Sequence, residues 1–244
     1  MELISPNFFD HFVIVLLGII LPVFAIFQSQ PELKKVKFNT ALKVEMYYGN
    51  GLTLWIMTLI ICFVWFFSGR PLPTIGFQPP IFNNSLPFIL TGVLVVLYAG
   101  DTLKEIWTEE ARQKVIKRWQ ADAPFLPSNK LEFQHFIILS FTAGFCEEVI
   151  FRGYFIQYLM TWTGTDLQGQ WLAVLIPGLV FAVSHWYQGW KAVLKIMVLA
   201  IIFGFIFLET KSLWIVIILH FLIDLVGGYI AYQIFPENVE TESK

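Results

Sequence analysis

Long apolar stretches separated by short polar ones set the pattern of this chain. The first, residues 8–27, is 20 residues long. At 1.5 Å per residue that makes a helix of about 30 Å, one hydrocarbon thickness. Comparable stretches follow at 47–67, 81–100, 133–160, 171–186, 192–208 and 213–235, the fifth and sixth being the shortest. The pattern predicts about seven membrane-spanning helices, with eight as the alternative count. The first stretch does not read as a signal peptide, because no Lys or Arg precedes it and no small-residue cleavage site follows.

Composition agrees with the pattern. Only 14% of residues are charged and 57% are apolar, and the mean hydropathy is +0.66. A soluble domain carries about twice that share of charge, so disorder, a coiled coil and an ordinary soluble enzyme are excluded. The predicted fold class is an all-α, polytopic integral membrane helical bundle. A net charge of −2 gives no basic footprint for nucleic acid, so the expected partners are the lipid bilayer and a membrane-associated molecule. Cys62 and Cys146 lie in apolar stretches, without the spacing of a metal site or a disulfide framework.

Positive residues orient the spans. Alternate loops and the tail carry thirteen Lys and Arg, and the loops on the other side carry only Arg70 and Lys211. The positive-inside rule puts the N-terminus outside and the C-terminus in the cytoplasm, as expected for a multi-pass protein of a prokaryotic plasma membrane. The expected organisation is an N-terminal part, 1–130, with three spans and a charged segment 101–130. A helical core, 131–235, and an acidic tail, 236–244, complete it. Segment 101–123 reads as an extension of the third helix, with an interfacial helix, favoured by Trp107 and Trp119, as the alternative. The proline-rich stretch 68–80 reads as a stiff linker, and His11 and His135 read as interfacial residues.

Ionisable residues inside a span are costly, and each is a functional hypothesis by default. Six stand out: Glu147, Glu148, Arg152, His185, His220 and Asp224. A single buried histidine is usually a satisfied core residue, but six such groups gathered in three spans are not explained that way. Glu148 and Arg152 are four apart and suit an intrahelical ion pair, which reads as structural. Glu147 and Arg152, five apart, fall on different faces of an α-helix. Glu147 is therefore left without a local partner and is the natural general base. His220 and Asp224 share a face, so Asp224 is placed to orient the His220 ring and fix its tautomer. Phe181, one turn before His185, is placed to wall the site.

Several intramembrane chemistries lack their residues. There is no Gly-x-Ser-x-Gly elbow, no His-Glu-x-x-His helix, no second buried Asp, no P-loop and no Gly-x-Gly-x-x-Gly. What remains is a Glu, two His and an Asp, which can activate water and stabilise an oxyanion, or bind a metal. Zinc accepts two His and a carboxylate, so a metalloprotease using Glu147, His185 and His220 stays open as an alternative to a cofactor-free reaction.

Glu-Glu-x-x-x-Arg at 147–152, Phe-x-x-x-His at 181–185 and His-x-x-x-Asp at 220–224 resemble the CAAX protease and bacteriocin-processing family of intramembrane proteases. This family includes the type II CAAX prenyl endopeptidase. The resemblance covers about 133–228. It implies a glutamate-dependent endopeptidase without an obligatory metal, acting on a membrane-associated peptide or protein. Carried over, Glu147 and His185 activate water, His220 and Asp224 hold the oxyanion, and Glu148–Arg152 brace the helix. The third motif here ends in Asp where the family has Asn or Asp. An ionised Asp cannot donate a hydrogen bond, so Asp224 is either protonated or only orients His220. The family also contains immunity proteins and scaffolds, which makes a non-catalytic membrane protein the second alternative.

Overall fold

The computed structural model describes residues 3–28 and 36–235. Lys34, Lys35 and the acidic tail lie outside these residues. Each of the seven apolar stretches contains a helix, and no strand occurs among the described residues. The first stretch comprises α1 (Phe8–Val15), a π-helical turn (Leu16–Ile20) and α2 (Leu21–Gln28). Next come α3 (Thr40–Phe67), the one-turn α4 (Leu72–Ile75), α5 (Leu86–Ile106) and α6 (Glu109–Asp122). The fourth stretch is one continuous rod made of α7 (Lys130–Glu148), a π-helical segment (Val149–Phe155) and α8 (Ile156–Thr163). The chain closes with α9 (Leu167–Ser184), α10 (Trp190–Thr210) and α11 (Leu213–Ile234). Helices α3, α5, α9, α10 and α11 are each long and apolar enough to cross a membrane, including the two expected to be short. The protein is a multi-pass helical membrane protein.

The α7 rod is central. α7 packs against α3 on one side and α11 on the other, α8 packs against α9, and α10 packs against α9 and α5. Close approach of α7 to α11 depends on Gly144. A Cβ at Gly144 would lie 3.0 Å from the Phe221 backbone nitrogen and 3.3 Å from the Ile217 carbonyl oxygen. Without a side chain there, the Glu147–Glu148 turn reaches His220. Asn129 starts α7 by accepting a bond from the Glu132 backbone N–H at 2.9 Å, as an N-cap residue should.

Three expectations need correction. Segment 101–123 extends α5 only as far as Ile106. The helix breaks at Trp107–Thr108, and the Thr108 hydroxyl caps the new helix α6 by accepting from Ala111 N–H at 3.1 Å. Stretch 68–80 is no free linker. It folds back onto the turn between α10 and α11 and buries Ile75. The Leu213 backbone N–H donates to the Gly76 carbonyl at 3.0 Å, and the Ser212 hydroxyl donates to the Gln78 carbonyl at 2.7 Å. Gly76 allows this because its φ of 110° suits glycine. A Cβ there would also lie 2.6 Å from the Phe207 ring.

The third correction concerns buried charge outside the six singled-out residues. Asp10 on α1 is fully buried. Arg70 grips both its oxygens, at 2.7 and 2.6 Å, in the forked geometry that makes Arg–carboxylate pairs strong. The Tyr154 hydroxyl donates to the same carboxylate at 2.9 Å. Near the start of α7, buried Lys43 pairs with buried Glu132 at 2.9 Å, and the Thr40 hydroxyl donates to Glu132 at 2.8 Å. His11 has a partner too, its Nδ1 lying 2.8 Å from the Tyr158 hydroxyl.

The Asp10 cluster ties α1 to the π-helical segment that carries Arg152. Asp10→Asn removes the charge facing Arg70, and removing one partner of a buried pair costs about 3–5 kcal/mol. We predict a clear fall in the melting temperature of the detergent-purified protein, with His11→Ala much milder. Wild-type melting of Asp10→Asn would show that this cluster does not hold α1 in place.

Candidate active site

Glu147 and Glu148 close α7, and the backbone widens into the π-helical segment immediately after them. An α-helical spacing through 147–152 was the expectation, and it is corrected from Val149 onward. π-helical turns are rare, and they recur at functional sites. The Glu148–Arg152 ion pair is present, with Arg152 Nη1 donating to Glu148 Oε1 at 2.9 Å and both side chains buried. The guanidinium also lies over two aromatic rings, 5.0 Å from the centre of Phe181 and 5.3 Å from that of Phe203. Such cation–π contacts help hold a desolvated cation.

Glu148 does more than brace its own helix. The same Oε1 lies 2.7 Å from Nδ1 of His220 on α11. A carboxylate that accepts from Arg152 is ionised and only accepts, so His220 Nδ1 carries the proton and donates. The group that fixes this ring is therefore Glu148, from the facing helix, and not Asp224. His220 Nε2 lies 3.7 Å from Glu147 Oε2 and 3.7 Å from Asp224 Oδ2. These are contacts between polar groups, longer than direct hydrogen bonds.

Exposure separates the three carboxylates. The Glu148 side chain is 0% exposed, that of Glu147 13% and that of Asp224 33%. Glu147, Arg152, Phe181, His185, His220 and Asp224 all line one cavity of about 1620 Å³, and Glu148 sits behind its wall. Apart from its polar residues this cavity is lined mainly by apolar side chains of α3, α5, α10 and α11, such as Met57, Leu97, Leu199 and Ile223. It is the right kind of space for an apolar or membrane-associated chain.

His185 ends α9, and its backbone leaves helical geometry there. Its Nδ1 lies 2.8 Å from the carbonyl oxygen of Phe181. A carbonyl only accepts, so Nδ1 is the protonated nitrogen and Nε2 is the one that can take a proton. Phe181 therefore serves His185 through its backbone, Arg152 through its ring, and His220 through an edge contact with centroids 6.1 Å apart. Beyond His185 the chain makes one 3₁₀ turn, Trp186–Gln188, which stacks Tyr187 on the imidazole at 5.9 Å. Tyr187 also lines the cavity. Cys146 is fully buried and does not line it. His135, on α7, is bonded to the Tyr48 hydroxyl at 2.9 Å, away from these groups. Among the described residues no three His, Cys, Asp or Glu side chains are gathered so as to hold a metal ion.

Phe203 and Tyr187 were not singled out from the sequence, and nothing distinguishes them there. Phe203 is one aromatic in the apolar α10, and its place under Arg152 and beside His220 depends on how α10 packs. Asp10 was detectable. The rule that marked the six residues, an ionisable group inside an apolar stretch, applies to it directly.

Residues 129–226 match the family model of the type II CAAX prenyl endopeptidase Rce1-like proteins. The matched stretch runs from the cap of α7 into α11 and contains all seven motif residues discussed above. It is also the stretch on which the three motifs place the resemblance to the CAAX protease family. No curated protein and no solved structure matches the chain.

The ion pair gives a stability prediction. Glu148→Gln leaves Arg152 buried without a countercharge, a loss of about 3–5 kcal/mol, visible as lower yield and melting temperature. Combining it with Arg152→Met should recover part of the loss. Equal melting of Glu148→Gln and Glu147→Gln would contradict the assignment of Glu148 to the pair.

Proposed function

We propose, from the match of residues 129–226 to the Rce1-like type II CAAX prenyl endopeptidase family, that this chain is a glutamate-dependent endopeptidase for membrane-associated peptides or proteins. The observation that carries the proposal is the contrast between two neighbouring glutamates. Glu148 is sealed and engaged by Arg152 and His220. Glu147 faces the cavity, and its nearest charged partner is a ring nitrogen 3.7 Å away. A carboxylate at a cavity wall with no hydrogen bond of its own is available to take a proton from water.

The steps use this chain's own groups. A water between Glu147 and Nε2 of His185 gives a proton to Glu147, and its oxygen attacks the carbonyl carbon of the scissile peptide bond. The carbonyl π bond opens, and the negative charge forms on its oxygen. His220, protonated on both ring nitrogens, and Asp224, as the neutral acid, stabilise that oxyanion, as preorganised donors in a dry site can. The tetrahedral intermediate then collapses. The C–N bond breaks, the proton held by Glu147 passes to the departing nitrogen, and a carboxyl group and an amine leave. No covalent intermediate and no cofactor enter these steps. Arg152 takes no part in proton transfer and keeps Glu148 charged and in place.

Two predictions follow from these roles. Glu147→Gln keeps shape and polarity but cannot accept the proton. With the protein reconstituted in liposomes and a library of internally quenched peptides as probe, we predict normal folding and at least ~10²-fold slower cleavage. Wild-type turnover by this variant would sink the assignment of Glu147.

Asp224 gives the second prediction. Because Glu148 already holds Nδ1 of His220, Asp224 is not needed to set the ring, and its remaining role is to donate towards the oxyanion. Asn donates as well. We predict that Asp224→Asn retains activity within about tenfold, since a neutral donor is preserved. A loss near ~10⁴-fold, as when an orienting Asp is changed in a Ser-His-Asp triad, would instead assign ring orientation to Asp224.

A further inference from the structure

The second glutamate of the Glu147–Glu148 pair has a part in the reaction as well as in the fold. We propose that Glu148, anchored by Arg152, is the positioning residue for His220. Its carboxylate holds a proton on Nδ1 and so makes Nε2 the nitrogen presented to the cavity. The inference rests on the hydrolytic reading above and deepens it.

Three observations carry it. First, a single oxygen of Glu148 receives both Arg152 Nη1, at 2.9 Å, and His220 Nδ1, at 2.7 Å. Arg152 thus fixes the acceptor that fixes the ring. Second, the acceptor Glu148 is sealed at 0% exposure and Arg152 nearly so at 3%, so the shared oxygen of Glu148 is kept from water. Third, the opposite edge of the ring is the one facing Glu147 and Asp224, each 3.7 Å from Nε2. The arrangement is a relay across two helices, with the anchor and the acceptor on the α7 rod and the imidazole on α11.

The chemistry follows from the placement of protons. With Nδ1–H committed to Glu148, a neutral His220 presents a bare Nε2 and can only accept from the cavity. It can donate to an oxyanion only as the doubly protonated ring. Charges around the site suit that form. Glu148 lies against one edge, and Glu147 faces the other. Without Glu148 the ring is free to turn about its side-chain bonds, and either nitrogen can carry the proton. Orientation by an outer partner of this kind is typically worth 10–100-fold at metal-bound histidines and up to about 10⁴-fold in a hydrolytic triad.

A purely structural Glu148 and a positioning Glu148 can be separated because the ion pair can be replaced without leaving an orphan charge. In the double variant Glu148→Leu with Arg152→Met, apolar groups of similar size fill the space, and the fold should be kept. If Glu148 is only a brace, this protein cleaves like wild type. If it positions His220, kcat falls at least ~10²-fold while KM changes by less than about threefold. The second double variant, Glu148→Gln with Arg152→Met, keeps an amide oxygen to accept from Nδ1 and should recover at least about tenfold in kcat over the first. Wild-type kcat in a folded Leu/Met variant would overturn the proposal, as would a Gln variant no better than it.

A measurement on the unaltered protein tests the proton placement that the proposal requires, independently of folding and of substrate. With ¹⁵N-labelled histidine, the His220 signal, assigned by its loss in His220→Gln, should show a proton on Nδ1. An unprotonated Nδ1 overturns the proposal. This readout stands even if the protein turns out not to hydrolyse peptides, so failure of the positioning role and failure of the protease reading are told apart. Cleavage lost in Glu147→Gln with Nδ1 protonated in wild type supports both.

Discussion

A carboxylate or guanidinium sealed inside an apolar helix bundle costs several kcal/mol unless another group neutralises it. The centre of this protein is organised around that constraint. Arg152 cannot shed its charge and is buried against the rings of Phe181 and Phe203, so Glu148 has to face it. Glu148 in turn accepts from His220 and thereby joins α7 to α11. Each group in the chain needs the one before it, and the last, His220, opens onto the cavity. The electrostatic demand of one buried arginine thus reaches the surface on which water and a peptide bond would meet.

Packing makes that chain of bonds short. Hydrogen bonds across helices require the backbones to come close, and in a membrane bundle small residues supply the room. Gly144 does this, one turn before the two glutamates. The π-helical segment that begins at Val149 lets the rod continue past the site. Its last part delivers Tyr154 to Asp10, so the site-bearing helix is fastened on both sides, to α11 by Glu148 and to α1 by Tyr154. Lys43–Glu132 near the start of α7 repeats the pattern, a buried pair pinning the rod to α3. The six groups around the site are therefore part of a wider scheme in which buried ion pairs register helices.

Much of this was legible in the amino-acid sequence for a simple reason. Membrane helices are marked by length and hydropathy, and the bilayer penalises charge so heavily that functional groups stand out against it. The seven helical stretches follow from the first property, and Glu147, His185, His220 and Asp224 as a candidate set follow from the second. The Glu148–Arg152 pair was readable because it is local, four residues apart on one helix. Asp10 obeyed the same rule and was overlooked because it lies near the start of its stretch, where a charge can look interfacial. The stretch 68–80 misled because proline signals a stiff backbone and says nothing about what that backbone packs against.

What the sequence determined by itself was whatever depends on a residue's own solvation cost or on neighbours within a turn or two. That covers the membrane class, the helices, the ion pair and which side chains are too costly to be there without use. Tertiary structure alone decided the roles that depend on partners far away in the chain. Glu148, not Asp224, holds His220, although His220 and Asp224 are four apart and Glu148 is 72 residues away. Helical spacing shows which groups share a face, but which of two carboxylates reaches a ring nitrogen is settled by how closely α7 and α11 approach. That approach depends on the absence of a side chain at Gly144 and on contacts along two whole helices, and no local pattern encodes it.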